Sequence, residues 1–462
     1  MKKIQFAVAA AVAVLMISAP AAAQQAPPTE APEATTPAED PKKPENPADI
    51  PAILKERPIT MQHFRPLDRR GINMFETPKE PGVEYTGFKL DWGAAFTSQV
   101  QNLSHANTAQ PNLVNGVNLN QLADIGFGFN NATANLSLNA QLARGIRLQL
   151  TSYLSSRHHN ETWVKDGFLL VDASPIDIKP LNALMEKVTL RVGHFEINYG
   201  DAHFRRTDNG QAMYNPFIGN LIMDAFTTEV GGEAYLRHKG FLAMGSITGG
   251  EIRGTVLSPG QRSPTLIGKL GYDRQMNERL RVRMTGSFYH TDKSLSNTLY
   301  GGDRAGSRYY YVVENVAATE SAQFTSGMIN PGFRNEVTAV QINPFVKYGG
   351  LEVFGVFEQS EGKATAEAAR RTFNQQAVDV VYRALGDYVY VGGRYNRVKG
   401  RLAGFTEDVE ADRWQFGGGI FLMNSILMKL EYVTQEFKGY PVTHIRHGGK
   451  FNGFIAEGVV AF

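Results

Sequence analysis

The stretch "NATANLSLNAQL", residues 131–142, changes polarity at every step. Asn131, Thr133, Asn135, Ser137, Asn139 and Gln141 are polar, and Ala132, Ala134, Leu136, Leu138, Ala140 and Leu142 are apolar. A period of two sets successive side chains on opposite faces of an extended chain, so the stretch predicts a strand. It is about twice the usual length of a strand in a soluble sheet. Its polar face is uncharged and rich in amides. One face suits an apolar medium and the other suits water.

The signature returns from residue 85 onward. "IRLQLTSYL" (146–154), "VTLRVGHF" (188–195), "LRVRMTGSF" (280–288) and "ILMKLEYV" (426–433) each alternate apolar with polar or charged side chains. About sixteen such segments can be counted, with no convincing long amphipathic helix. Tight-turn residues join some of them, as at 143–145, 237–240, 348–350, 385–387 and 424–425. Long connections rich in Gly, Asn, Asp and Ser fall at about 101–123, 200–226, 293–335, 399–411 and 439–450. Short turns on one side and long loops on the other predict a transmembrane antiparallel β-barrel of about sixteen strands, with residues 85–462 in the barrel. A closed barrel leaves no strand edge unpaired, its leucines meet lipid and its asparagines meet a wet lumen. A soluble sandwich or propeller would show neither so many charged faces nor this absence of repeats of about 40–50 residues. If "RYYYVVEN" (308–315) belonged to the wall, the count would rise to eighteen; otherwise it reads as an outward contact hairpin.

The N-terminal region fits export. Lys2 and Lys3 precede an apolar run, Phe6 to Ile17, and Ala21-Ala22-Ala23 offers a small-residue cleavage site, so residues 1–23 read as a signal peptide. Residues 24–57, rich in Pro, Ala and Glu, read as a disordered linker, and 58–84 as a periplasmic lead-in. The chain has no cysteine, which excludes disulfides, thiolate metal sites and cysteine nucleophiles. Formal charge is +2 and falls to near neutral once Lys2 and Lys3 are removed, which argues against nucleic-acid binding. "FIAEGVVAF" ends in Phe462, resembling the assembly signal by which barrel-assembly machinery recognises such strands. The expected site is the bacterial outer membrane, among its lipid and lipopolysaccharide.

A barrel of sixteen strands is too wide for its wall side chains alone to fill, so an aqueous channel is expected. The segment 200–226, "GDAHFRRTDNGQAMYNPFIGNLIMDA", joins the fifth and sixth strands on the long-loop side. It carries Asp201, Arg205, Arg206, Asp208 and Asp224 together with an apolar run, Phe217 to Met223, able to pack on the inner wall. It is expected to fold inward as the constriction. Arg147, Arg191, Lys269, Arg281, Arg283, Lys347, Arg394 and Lys429 are expected to line the pore, interspersed with Glu233, Glu352, Glu431 and Glu457. Rings of charge set ion preference, and this mixture points to a mild anion bias. Any one of these charges is more often a partner in a wall ion-pair network than a binding group. His158, His159, His194 and His203 match no recurring metal-ligand spacing.

From "LRVGHFEINYGDAHFRRTDNGQAMYNPFIGN" through "TTEVGGEAY" (190–235), the chain resembles the phosphate-selective porin family of O/P type, and it does so in pattern over about 85–462. The resemblance implies a homotrimeric sixteen-stranded porin with a basic constriction. The sequence departs from it in lacking a dense ladder of arginines and lysines. The functional expectation is therefore passive diffusion of small hydrophilic solutes or anions, without cofactor. A barrel enzyme or a structural or adhesive barrel are the other classes open to such a chain. Nothing in the sequence marks a catalytic trio.

Overall fold

The computed structural model describes residues 63–77, 85–157, 161–174, 176 and 178–462. The proposed signal peptide, the Pro-rich linker and the His158–His159 pair lie outside the described residues.

Sixteen long strands form the wall: β1 Lys89–Ala106, β2 Thr133–Ala143, β3 Ile146–Leu154, β4 Thr162–Val171, β5 Val188–Glu196, β6 Thr228–His238, β7 Phe241–Thr248 and β8 Thr265–Gln275. They continue as β9 Leu280–Thr291, β10 Glu336–Tyr348, β11 Leu351–Lys363, β12 Arg371–Ala384, β13 Val389–Gly400, β14 Val409–Met423, β15 Ile426–Lys438 and β16 Lys450–Ala461. Each pairs antiparallel with its neighbour in sequence, and β1 pairs with both β2 and β16, so the sheet closes. The sheet has a seventeenth, three-residue member, Phe127–Phe129, which lies against β1 beyond the end of β2. It adds no turn of wall, and the count is sixteen. Among the described residues no helix is long and apolar enough to cross a membrane, and the crossing is made by strands.

Alternation fixes which face meets which medium. In β2, Leu136 and Leu138 point out and are exposed, while Asn135, Ser137 and Asn139 point in and are buried. The same split runs round the wall, with Trp92, Phe96, Val192, Leu270, Met284, Ile342, Val391, Trp414, Leu430 and Phe454 outside. An outward apolar band on a closed antiparallel barrel is stable only in lipid, and it is the architecture of outer-membrane proteins. The chain is an outer-membrane β-barrel.

At one end the strands are joined by short turns such as Arg144–Gly145, Lys239–Gly240 and Asn424–Ser425. The β4–β5 link there is longer and carries a short helix, Lys179–Met185. At the other end lie eight connections, here L1 to L8. The longest are L1 (107–132), L3 (197–227) and L5 (292–335). In barrels of this kind the turn end faces the periplasm.

The seam beside Phe462 is a second closing device. Its backbone N–H and C=O each bond Ala94 at 3.0 Å, and its ring meets Trp92 edge-on with centroids 6.0 Å apart. Removing Phe462 deletes two inter-strand bonds and one interfacial aromatic pair where the barrel must close. The heat-modifiable, folded fraction in membranes is expected to fall severalfold. Removing residues 30–50 is expected to leave it unchanged, as gel mobility with and without heating will show.

Candidate functional site

L3 lies inside the lumen. Asp201 and Arg205 to Asp224 are buried without a break. An irregular segment placed there must find partners for every backbone N–H and C=O, and the inward side chains of the wall supply them. Lys429 Nζ donates to the carbonyls of Ala212, Asn215 and Phe217 at 2.9, 3.3 and 3.1 Å. Arg394 donates to Gly219 O, Arg413 to Asn220 O and Gln375 to Met223 O. In return the N–H groups of Ile218, Ile222 and Met223 reach Glu431, Asn396 and Gln375. L3 also reaches β1 and β2, at Gly210. Its N–H donates to Asn135 Oδ1 at 2.9 Å, and its carbonyl accepts from Thr97 at 2.7 Å. A Cβ there would sit 2.4 Å from Ala95 O, so only glycine fits. Asn135 of the opening strand therefore grips L3.

The charges of L3 are paired. Arg206 donates to Asp224 from Nε and Nη2 at 2.9 and 2.6 Å and to Asp303 of L5 at 2.7 Å, with its guanidinium 3.8 Å from the Phe226 ring centroid. Burial works against its charge, but these two carboxylates and nearby Asp208 outweigh burial and hold the guanidinium firmly protonated. Arg205 bonds Asn73 and lies 3.5 Å from Glu352. Asp201 is fully buried, accepting from Arg283 twice at 2.8 Å, from Thr285 at 2.8 Å and from Lys269 at 2.6 Å. Asp208 meets Lys165. The expected constriction arginines thus sit inside a packed network and not on an open edge.

L5 also turns inward, against expectation. "RYYYVVEN" forms neither a wall hairpin nor an exposed one. Arg308, Tyr309, Tyr310, Val312 and Val313 are buried. Arg308 pairs with Glu457 at 3.1 Å, Tyr309 OH donates to Glu431 at 2.6 Å, and Tyr310 exchanges bonds with Gln101. L5 stacks on L3 through Asn220, whose N–H and side chain reach Ser307 O and Gly306 O. Two buried carboxylates have no cation in ion-pair reach among the described residues: Glu358 of β11 accepts from Tyr199 of L3 and Tyr300 of L5 and so pins both loops, while Glu229 of β6 accepts from Tyr289 of β9 within the wall. The wide aqueous lumen expected from strand number is therefore largely filled by L3 and L5.

Among the spaces that stay open is a polar crevice of about 240 Å³ between L3 and the inner faces of β2 to β6. Asn139, Arg147, Gln149, Lys165, Arg191 and Arg237 are among its lining. Its charged members are Arg65, Arg147, Lys165, Arg191, Arg206 and Arg237 against Glu76, Asp166, Glu196 and Asp208, six cations to four carboxylates. Arg191 pairs with Glu233 at 2.7 Å. Arg147, only 5% exposed, has Nε and Nη1 without a hydrogen-bond partner among the described residues.

Of the other expected lining residues, Arg394 is spent on Asp379 (2.6 and 2.8 Å) and Lys429 on Glu457 (2.6 Å). Arg281 meets Asp273, and Lys347 lies between Glu352 and Asp387. His203 bonds Glu196 and Asn198, and among the described residues no group of three or more His, Asp or Glu is arranged to hold a metal. Sequence reading missed Asp303, Arg413 and Glu76, because each becomes important only through a partner more than ninety positions away or on another loop. The apolar run of L5 was the one legible hint.

No protein-family model matches the chain, and no curated protein matches it in sequence. Among solved structures it is similar to an anion-selective porin from Comamonas acidovorans, at 13% identity and a TM-score of 0.49, covering 81% of this chain and 100% of that one. It is also similar to the in-vitro folded trimer form of OmpT, an outer membrane protein of Vibrio cholerae (11%, TM-score 0.48, 81% and 100%). A third is OprB of Pseudomonas putida (8%, TM-score 0.46, 81% and 94%). At such identities and TM-scores these likenesses say nothing of solute or selectivity, and the fold rests on the barrel's own closure and outer face.

Proposed function

We propose that the protein is an outer-membrane diffusion channel for small hydrophilic solutes, with a mild preference for anions. The observation that carries the reading is the charged, polar crevice left between L3 and the β2–β6 wall, with its cation excess and the two Arg147 nitrogens that lack a partner among the described residues. A crevice lined by fixed charge and low-dielectric walls concentrates counter-ions. The pairing of most inward cations supports a general pore in preference to one dedicated to phosphate, which the family resemblance alone would suggest. The same reading takes the chain to act as a homotrimer, inserted by barrel-assembly machinery among lipid and lipopolysaccharide.

The test is a planar bilayer with a salt gradient. Small discrete conductance steps with a reversal potential displaced modestly toward the anion side are expected. Replacing Arg147 with Gln is expected to reduce that displacement at low salt and to have little effect at about 1 M, where the screening length is about 3 Å. Folded protein that never conducts would sink the channel reading.

A further inference from the structure

The residues before β1 run across the turn end of the barrel, inside its mouth. His63 Nε2 lies 3.2 Å from Asp172, after β4. Arg65 donates to Phe204 O at 2.9 Å, while Tyr214 and Gln211 of L3 donate to the carbonyls of Pro66 and Leu67. Arg69 reaches the far side, bonding Asn424 by backbone (2.9 Å) and side chain (2.9 Å) and Gly386 O at 2.7 Å. The chain then returns: Asn73 bonds Glu352 of β11, and Arg281 of β9 donates to Asn73 O at 2.9 Å. Phe75 packs edge-on against Phe204 and Phe345. Glu76 ends the crossing on Lys269 (3.0 Å) and Arg283 (2.8 Å). The crevice beside L3 is bounded by this same segment, through His63, Arg65, Leu67, Phe75, Glu76 and Thr77.

Three features separate this strap from the wall. It joins no ladder of the barrel, whose closure runs through β1 and β16 without it. Its only regular element is a single 3-10 turn, Arg69–Gly71. Its anchors are mostly side chain to backbone bonds and ion pairs, which water can replace one by one at modest net cost. Leaving would therefore break no strand pairing.

We propose that residues 63–77 are a releasable strap that closes the turn-end mouth, and that its withdrawal widens the pore. Docked, Lys269, Arg281 and Arg283 face Asp201, Asp273 and Glu76, three against three. The strap carries Arg65, Arg69 and Arg70 against Asp68 and Glu76, a net charge of +1, so its withdrawal brings the mouth no gain of positive charge and acts through width. This rests on the channel reading above.

The cysteine-free chain gives a clean test. Arg69→Cys with Asn424→Cys, on neighbours already joined by a backbone bond, can tie the full-length strap to the wall by a disulfide. In planar bilayers the oxidised protein is expected to hold a single low conductance, and reductant to restore excursions to a larger level. A second variant carries residues 63–77 as a Gly/Ser stretch of equal length. It is expected to show a steady conductance raised roughly two-fold or more. Unchanged conductance in a folded Gly/Ser variant would overturn the proposal. So would identical traces from the oxidised and reduced forms of the cysteine pair, which decides the matter if the Gly/Ser variant does not fold. Folded protein of all forms without any conductance would instead overturn the channel reading.

Discussion

Replacing Arg206 with alanine is expected to loosen L3 and L5 together, while replacing its neighbour Arg205 does far less. Arg206 is the sole cation within ion-pair reach of both Asp224 and Asp303 among the described residues. Its loss leaves two carboxylates, 3% and 5% exposed, with no counter-charge where L3 meets L5. Removing one partner of a buried pair costs about 3–5 kcal/mol, because the other charge stays buried. Arg205 differs in kind. Its carboxylate, Glu352, keeps Arg383 at 2.8 Å and Lys347 at 3.4 Å when Arg205 is gone. Arg262, bonded to Glu251 on a loop nearer solvent, gives a control expected to cost about 0–1 kcal/mol. Urea unfolding of refolded barrels ranks the three, and noise in single-channel current reports the loosened loops. With Arg206 absent, the pore is also expected to move toward cations at low salt. Equal losses from the two adjacent arginines would contradict the network described.

The barrel was legible because its cause is local. Period-two alternation shows in any ten residues of β2, β9 or β15, and lipid on one side with a polar interior on the other leaves that pattern few uses. The inward course of L3 was legible for a similar reason, since Phe217 to Met223 has no stable place in solvent. The fate of the charges was not. Arg206 finds Asp303 across nearly a hundred residues, and Lys429 finds L3 carbonyls from the far end of the chain. Sequence gives the inventory of donors and acceptors but not the backbone groups that consume them, so side chains that hold a loop look the same as side chains that face a pore. The filling of the lumen was illegible for a further reason. Strand number bounds the width of a barrel but says nothing of how much loop folds back into it. The strap was hidden most of all, as its large apolar residues, Phe64, Leu67, Ile72, Met74 and Phe75, stand in a stretch with no period.

The adjacent pair Arg283 and Met284 on β9 separates the two faces most sharply. Met284 points outward, half exposed, cross-strand from Pro344 and Tyr272 in the apolar band. Met284→Arg sets a charge in lipid at a cost of roughly 2–4 kcal/mol if near the mid-plane, and the folded fraction in membranes is expected to drop. Arg283 points inward at 3% exposure and serves Asp201, Glu76 and Asp273 at once. From the sequence alone, Arg283→Val would leave insertion intact and alter ion preference. The structure changes that expectation. Burial alone would raise the Glu76 and Asp201 carboxyls, but Lys269 and Arg283 outweigh it and hold both below the usual carboxylate range. Without Arg283, Lys269 faces both carboxylates alone. Arg283→Val is thus expected to insert normally yet unfold at lower urea, with residues 63–77 cut faster by protease from the turn end. Inward and outward sites then fail in different assays, one at insertion and one at stability. If Arg283→Val blocked insertion while Met284→Arg folded normally, β9 would be registered one residue out, which exchanges its two faces.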